Sequence, residues 1–229
     1  MHPKRKGRNA VILVSLIVLF PLTWLLLFGV FSKHSFNTLP YYTPSCTKGC
    51  KDSSYRIPPF TFQDERGLPF SNDSLNSNVW LAAFYDLGHS NLTDITQLLL
   101  NVNFKYRNEP DIRIVVFSTD PARDSLEKIA RYIESNTRYN AFPQKWKYLI
   151  GDSASMRAYL KNGFLLNDPD QEAIFRLVDY DGKIRGQYGN TEYHFLGGLD
   201  SIPGVVQDIA LLKKEIDQKR YEKRHRDSH

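Results

Sequence analysis

The sequence predicts an α/β domain built on a mixed sheet with helices on both faces, preceded by a single apolar segment. Three observations lead there. Val79–Tyr85 and Ile112–Ser118 are continuous apolar runs, the mark of strands buried on both faces. Between and after them, apolar residues recur three and four apart, at Leu92, Ile95, Leu98, Leu99 and Val102, and again at Leu126, Ile129, Ala130 and Ile133. Strands alternating with helices imply parallel pairing through right-handed crossovers.

Each element has a local reason. In "IPPFTFQDERGLPFS", Phe60 and Phe62 alternate with polar residues, "DERG" supplies a turn and Phe70 resumes the pattern, which predicts a β-hairpin. Asn91 stands where the first helix needs a cap. Asp120 and Pro121 are placed to cap and open the second helix. "WKYLIGD" reads as a short strand, and Ala154–Leu160 as a short helix. "AIFRLVDYDGKIRGQYG" reads as two strands around Tyr180-Asp181-Gly182, which makes the sheet mixed. Val205, Ile209, Leu212 and Ile216 form the stripe of a closing helix from about Ile202 to Ile216.

Charge divides the chain differently. The net charge is +5, of which residues 1–8 carry +4 and residues 219–229 carry +3, leaving −2 for residues 9–218. A slightly acidic body argues against nucleic-acid binding. Residues 10–31 hold no charged side chain. A helix of that length reaches about 33 Å, enough to cross a hydrocarbon core of about 30 Å. The run is longer than a signal h-region and lacks a small-residue cleavage site, so a retained single transmembrane helix is expected. Lys4, Arg5, Lys6 and Arg8 before the run against Lys33 after it place the N-terminus in the cytoplasm. The domain then stands on the outer, periplasmic side of a cytoplasmic (inner) membrane. The expected division is a basic tail at 1–9, the span at 10–31, a linker at 32–56, the domain at 57–217 and a basic tail at 218–229.

Two cysteines, Cys46 and Cys50, lie in that linker within "PSCTKGCKD". Outside the cytoplasm such a pair can persist as a local disulfide. An accessible dithiol with Lys48 and Lys51 beside it would also suit a metal or redox site. Unpaired thiols, or pairing with another protein, is the third reading. No phosphate loop, nucleophile elbow or metalloprotease motif is present.

The element order is that of a thioredoxin-like domain with an N-terminal β-hairpin extension. Over residues 56–216 the chain resembles the Sco/SenC family, membrane-anchored thioredoxin-fold proteins associated with copper-centre assembly in cytochrome c oxidase. The segments "IPPFTFQDERGLPFS", "STDPARDS", "WKYLIGD" and "LVDYDGKIRGQYG" carry the resemblance. It implies copper ligands from two cysteines, three residues apart, just after the first buried strand, and from a histidine at the start of the later hairpin. Two thiolates and an imidazole form a soft site suited to Cu(I). Here Gly88, Leu92 and Gln171 stand at those positions. The resemblance implies a part in respiratory oxidase biogenesis, with an oxidase subunit or other envelope protein as partner. The substitutions point to a non-catalytic, partner-binding member, with copper or redox chemistry at Cys46 and Cys50 as the alternative. A peroxidase role would need the cysteine missing from residues 88–92.

Several other residues have a bland reading beside the functional one. His89 and His194 would make ligands only if brought together; a lone loop histidine is usually solvated. Asp170 and Glu172 beside Gln171 read as a solvated acidic loop or a cation site. Asp120, Arg123 and Asp124 read as a helix cap with an ion pair. "LPYYTP" fits a membrane interface or an ordinary linker. The C-terminal tail reads as a solvated, frayed helix end, or as an electrostatic contact with anionic lipid or an acidic partner.

Overall fold

The computed structural model describes residues 38–137, 145–166, 174–189 and 203–226, together with Ile17, Leu19, Phe20, Thr23 and Trp24. The chain divides into two units, Met1–Asn37 and Thr38–His229. In the first, the described residues are helical, and the Thr23 hydroxyl donates to the carbonyls of Leu19 and Phe20. Among the described residues no helix is long and apolar enough to cross a membrane; most of the expected span lies outside them.

The second unit is built on a seven-stranded sheet. Its strands are β1 (Tyr41–Thr43), β2 (Cys46–Cys50), β5 (Val79–Phe84), β6 (Ile112–Phe117), β7 (Trp146–Leu149), β8 (Ile174–Val178) and β9 (Ile184–Tyr188). They lie in the order β2-β1-β9-β8-β5-β6-β7, and β3 (Thr61–Gln63) pairs with β4 (Pro69–Ser71) as a separate hairpin. β5, β6 and β7 are parallel, while β8, β9, β1 and β2 add on antiparallel. The helices are α1 (Leu92–Lys105), α2 (Leu126–Thr137), α3 (Ser153–Gly163) and α4 (Pro203–Arg226).

The apolar runs earn their length. All six residues of β5 are buried, because alternate side chains enter opposite cores. Leu81 and Ala83 meet Ile95, Leu99, Ile129 and Leu212 from α1, α2 and α4. Trp80, Ala82 and Phe84 meet Met156, Leu160 and Phe164 around α3, with Ile57 and Phe60 closing that side. The β3–β4 turn is held by Asp64, which accepts from the amides of Arg66 and Leu68 at 2.9 and 3.0 Å and pairs with Lys147 at 3.0 Å.

Three local expectations change. The stretch read as a period-free linker contains β1 and β2, strands too short to show a period, which exist by adding to the edge of β9. Tyr41 pairs with Cys50 and Thr43 with Cys46, so Thr47–Gly49 bulge outward, with Gly49 at φ +99° permitting the turn. The second helix starts at Leu126 rather than at Pro121: Asp120 closes a preceding turn, and Ser125 accepts the Lys128 amide at the helix start. Finally, the closing helix runs on to Arg226, through most of the tail read as frayed.

Candidate functional site

The loop joining β5 to α1 emerges at the carboxyl end of the parallel strands, the place where open α/β sheets bind their ligands. Asp124 anchors it from beneath. This carboxylate is fully buried and accepts from the Leu87 amide at 3.0 Å, the Ser118 hydroxyl at 2.7 Å and the Tyr148 hydroxyl at 2.9 Å. Burial pushes the Asp124 carboxyl above its ordinary value, against the pull of those hydrogen bonds. Burial raises the Tyr85, Tyr132 and Tyr148 hydroxyls too. A chain of hydroxyls runs outward from Tyr85 to Tyr132 at 3.4 Å, to Thr96 at 2.6 Å and on to the Leu92 carbonyl at 2.6 Å.

Above Asp124 the loop closes on itself. Asp86 accepts from the Gly88 amide at 2.7 Å and pairs with Arg123 at 3.1 Å, while Arg123 also meets Asp120 at 3.4 Å. A Cβ built on Gly88 would overlap the Arg123 guanidinium and stand 2.8 Å from its Cδ. The guanidinium thus occupies the direction a side chain at residue 88 would take. Leu92 is half-buried and packs on the core of the α1 face. The Nδ1 of His89 accepts the Asn91 amide at 3.1 Å, so the ring serves a local turn. Gln171, Asp170, Glu172 and His194 lie outside the described residues. Among the described residues no three His, Cys, Asp or Glu side chains are grouped to hold a metal ion. The donors that this loop does offer do not fit Cu(I): an acidic side chain already paired with a guanidinium and an imidazole nitrogen already accepting.

Cys46 and Cys50 are joined as a disulfide, S–S 2.10 Å, at the edge of the sheet. Four strand spacings separate β2 from β5, about 19 Å at roughly 4.8 Å each. The register carries Tyr42 through Ile184 and Val178 to Trp80, near the start of β5, so the pair lies at the opposite end from Gly88. The two cysteines do not reach the loop. A second buried polar group holds their hairpin in place. Arg185, 1% exposed, donates to Glu215 at 2.7 Å and to the Leu39 carbonyl at 2.8 Å, approaches Asp179 at 3.4 Å, and lies 4.1 Å over the Tyr41 ring.

Sequence reasoning singled out Asp120, Arg123 and Asp124 as a helix cap with an ion pair, and Arg123 does pair with Asp120, while Asp124 takes no part in it. It did not find that Asp124 is buried beneath the loop or that Arg123 backs onto Gly88. The D-P-x-R-D-S segment was the available signal, since Asp-Arg-Asp just beyond a buried strand must meet neighbouring loops at the sheet's carboxyl end. Arg185 was missed altogether, because a charge in the middle of a strand pattern looks exposed.

The SCO1/SenC family model matches residues 50–192. The SCO1 protein homolog of Bacillus subtilis (strain 168) is 29% identical over 174 residues, covering 70% of this chain and 86% of the relative. Among solved structures, BsSco, described as a member of the Sco family of cytochrome c oxidase assembly proteins and as having a disulfide switch, superposes with a TM-score of 0.55 at 23% identity, covering 72% of this chain and 98% of its own. Arabidopsis thaliana ScoI with copper bound gives a TM-score of 0.52 at 16% identity, covering 68% and 99%. These structures share the thioredoxin-like fold found here.

Proposed function

The chain belongs to the SCO1/SenC family, and we propose that it serves oxidase copper-centre assembly by binding a partner rather than by holding copper in the loop after β5. It does so as a single-span protein of the cytoplasmic membrane, anchored by the apolar run 10–31, with the domain on the outer side. The observation that carries this reading is the Arg123 guanidinium standing where a side chain at residue 88 would go. Counted from β5, Gly88 and Leu92 take the places of the family's two cysteines, and neither side chain can ligate. Arg123 puts a positive charge where the first thiolate would stand, which disfavours a cation there. What remains at the carboxyl end of the sheet is a loop fixed by Asp86, Arg123 and Asp124, a preformed surface suited to recognition.

A second reading rests on the disulfide. Cys46 and Cys50 sit on an edge strand next to exposed Lys48 and Lys51, where a thiolate from another molecule could attack the disulfide, forming a mixed disulfide and releasing the other sulfur as thiolate, or a soft metal could bind the pair in its reduced form.

One titration separates the two. The reduced full chain is given Cu(I) anaerobically, in competition with a chelator, beside the C46S/C50S variant. The first reading expects no tight copper in either. One tight copper in the parent and none in the variant would replace it with the second. Tight copper in both would sink both readings and return the metal to the loop.

A further inference from the structure

The end of α4 is built unlike the rest of the molecule. Ile216 is its last buried residue, and the helix continues for ten more, about 15 Å, to Arg226. Every described side chain of that extension is exposed, including Tyr221 at 59%. The extension carries five Lys/Arg against two Asp/Glu. Arg220 ties the base of the extension to Asp111 at 3.7 Å and to the Ser77 carbonyl at 3.5 Å, and Lys219–Glu215 and Gln218–Glu222 pairs support its turns. Held in place but polar all round, it presents a surface suited to a binding partner. The sign of the charge makes that partner anionic.

The position of the extension narrows the choice. Arg185 binds the Leu39 carbonyl and the Glu215 carboxylate with one guanidinium, so the point where the chain enters the domain lies beside the turn from which the basic extension leaves. Lys183 stands over Tyr41 at 5.2 Å on the same side. Eight residues connect the end of the apolar run at Phe31 to Leu39, at most about 28 Å of chain. We propose that Asp217–Arg226 is a lipid-contacting element that lies on the anionic phospholipid surface of the membrane holding the chain. A basic surface is attracted to an anionic phospholipid surface on either side of a membrane, and Tyr221 suits the headgroup level. The inference rests on the reading of residues 10–31 as an anchor.

The test uses the full chain in vesicles of phosphatidylcholine alone, or of phosphatidylcholine with about one third phosphatidylglycerol, with amide exchange read over 217–226. Exchange should slow at least about tenfold in the anionic vesicles, the slowing should vanish in R224E/R226E, and it should persist in R224K/R226K. Equal exchange in the two lipids overturns the proposal. So does slowing that survives R224E/R226E, or slowing seen only in native membranes, which would assign the element to an acidic protein. Flotation in high salt keeps the premise separate. A chain that floats with both lipids is anchored whatever its helix does. A chain that floats only with anionic vesicles and is released by salt lacks the anchor yet keeps the docking.

Discussion

The loop after β5 and the hairpin at the far edge of the sheet divide between them what the family resemblance places together. The loop has the address, at the carboxyl end of the parallel strands, but offers Gly88 and Leu92. The hairpin has the two cysteines at the right spacing, but stands about four strands away at the other end of the sheet. Spacing alone therefore does not make a site. Both regions are nonetheless fixed by a single buried ionisable side chain, Asp124 under the loop and Arg185 under the hairpin. The two differ in how their charge is met. Arg185 faces carboxylates, whereas Asp124 faces only neutral donors.

That difference sets the largest expected effect. R185A would leave buried Asp179 without its counter-ion, leave Glu215 paired with Lys219 alone and free the Leu39 carbonyl, at a cost of about 3–5 kcal/mol. Denaturant unfolding measures the loss. Amide exchange should place the first loosening at β1 and β2, with the Leu87 amide still protected. Loss of protection in the loop first would mean that the two regions are not independently held.

D124A should cost about 3 kcal/mol, since it strands two buried hydroxyls and the part-buried Leu87 amide at about 1 kcal/mol or more each, and its loosening should centre on Leu87 and Gly88. The two regions should also answer acid in opposite senses. The folded Asp124 carboxyl is raised by burial, so its contribution is complete below the ordinary aspartate range and declines as pH rises through the folded value. Burial pushes Glu215 up as well, but hydrogen bonds from Arg185 and Lys219 outweigh it and leave its carboxyl lowered. Its contribution is present above the ordinary glutamate range and declines as pH falls. Asp179, raised by burial, partly offsets this in the hairpin contact. Comparing D124N and E215Q with the parent from neutral to acid pH isolates each carboxyl. D124N should abolish the gain on acidification, and E215Q should abolish the loss. The same slope in both variants would refute the contrast.

The sheet's interior was legible in the sequence because burial on both faces leaves a signature that needs no partner to read: Val79–Tyr85 and Ile112–Ser118 are strands within a residue. The β1–β2 hairpin was not legible, since Tyr41–Thr43 is a strand only by virtue of an edge supplied far along the chain by Ile184. The helix start at Leu126 was misread for a related reason. Asp120 and Pro121 do form a cap-like turn, but Asp124 is drawn under the loop by Leu87, Ser118 and Tyr148, and the helix can begin only after it. At the candidate site the sequence revealed which residues stand at residues 88 and 92. It did not reveal what fills the space beside them.

That filling is open to the finest test. If Arg123 occupies the side-chain direction of residue 88, a Cβ there must displace it and break its contact with Asp86. G88A should then cost about 1 kcal/mol through crowding, partly relieved because a long side chain can swing aside. R123A, which removes half-exposed ion pairs with Asp86 and Asp120, should cost about 1 kcal/mol or less. Once Arg123 is gone, G88A crowds only the Asp86 carboxylate oxygen, 2.9 Å from the added Cβ, so the double variant should be more stable than the sum of the single losses predicts. The coupling energy read from unfolding of the four proteins is the measurement. Additive losses would mean that the guanidinium does not hold this space, and that a side chain at residue 88 was excluded for some reason other than the cation beside it.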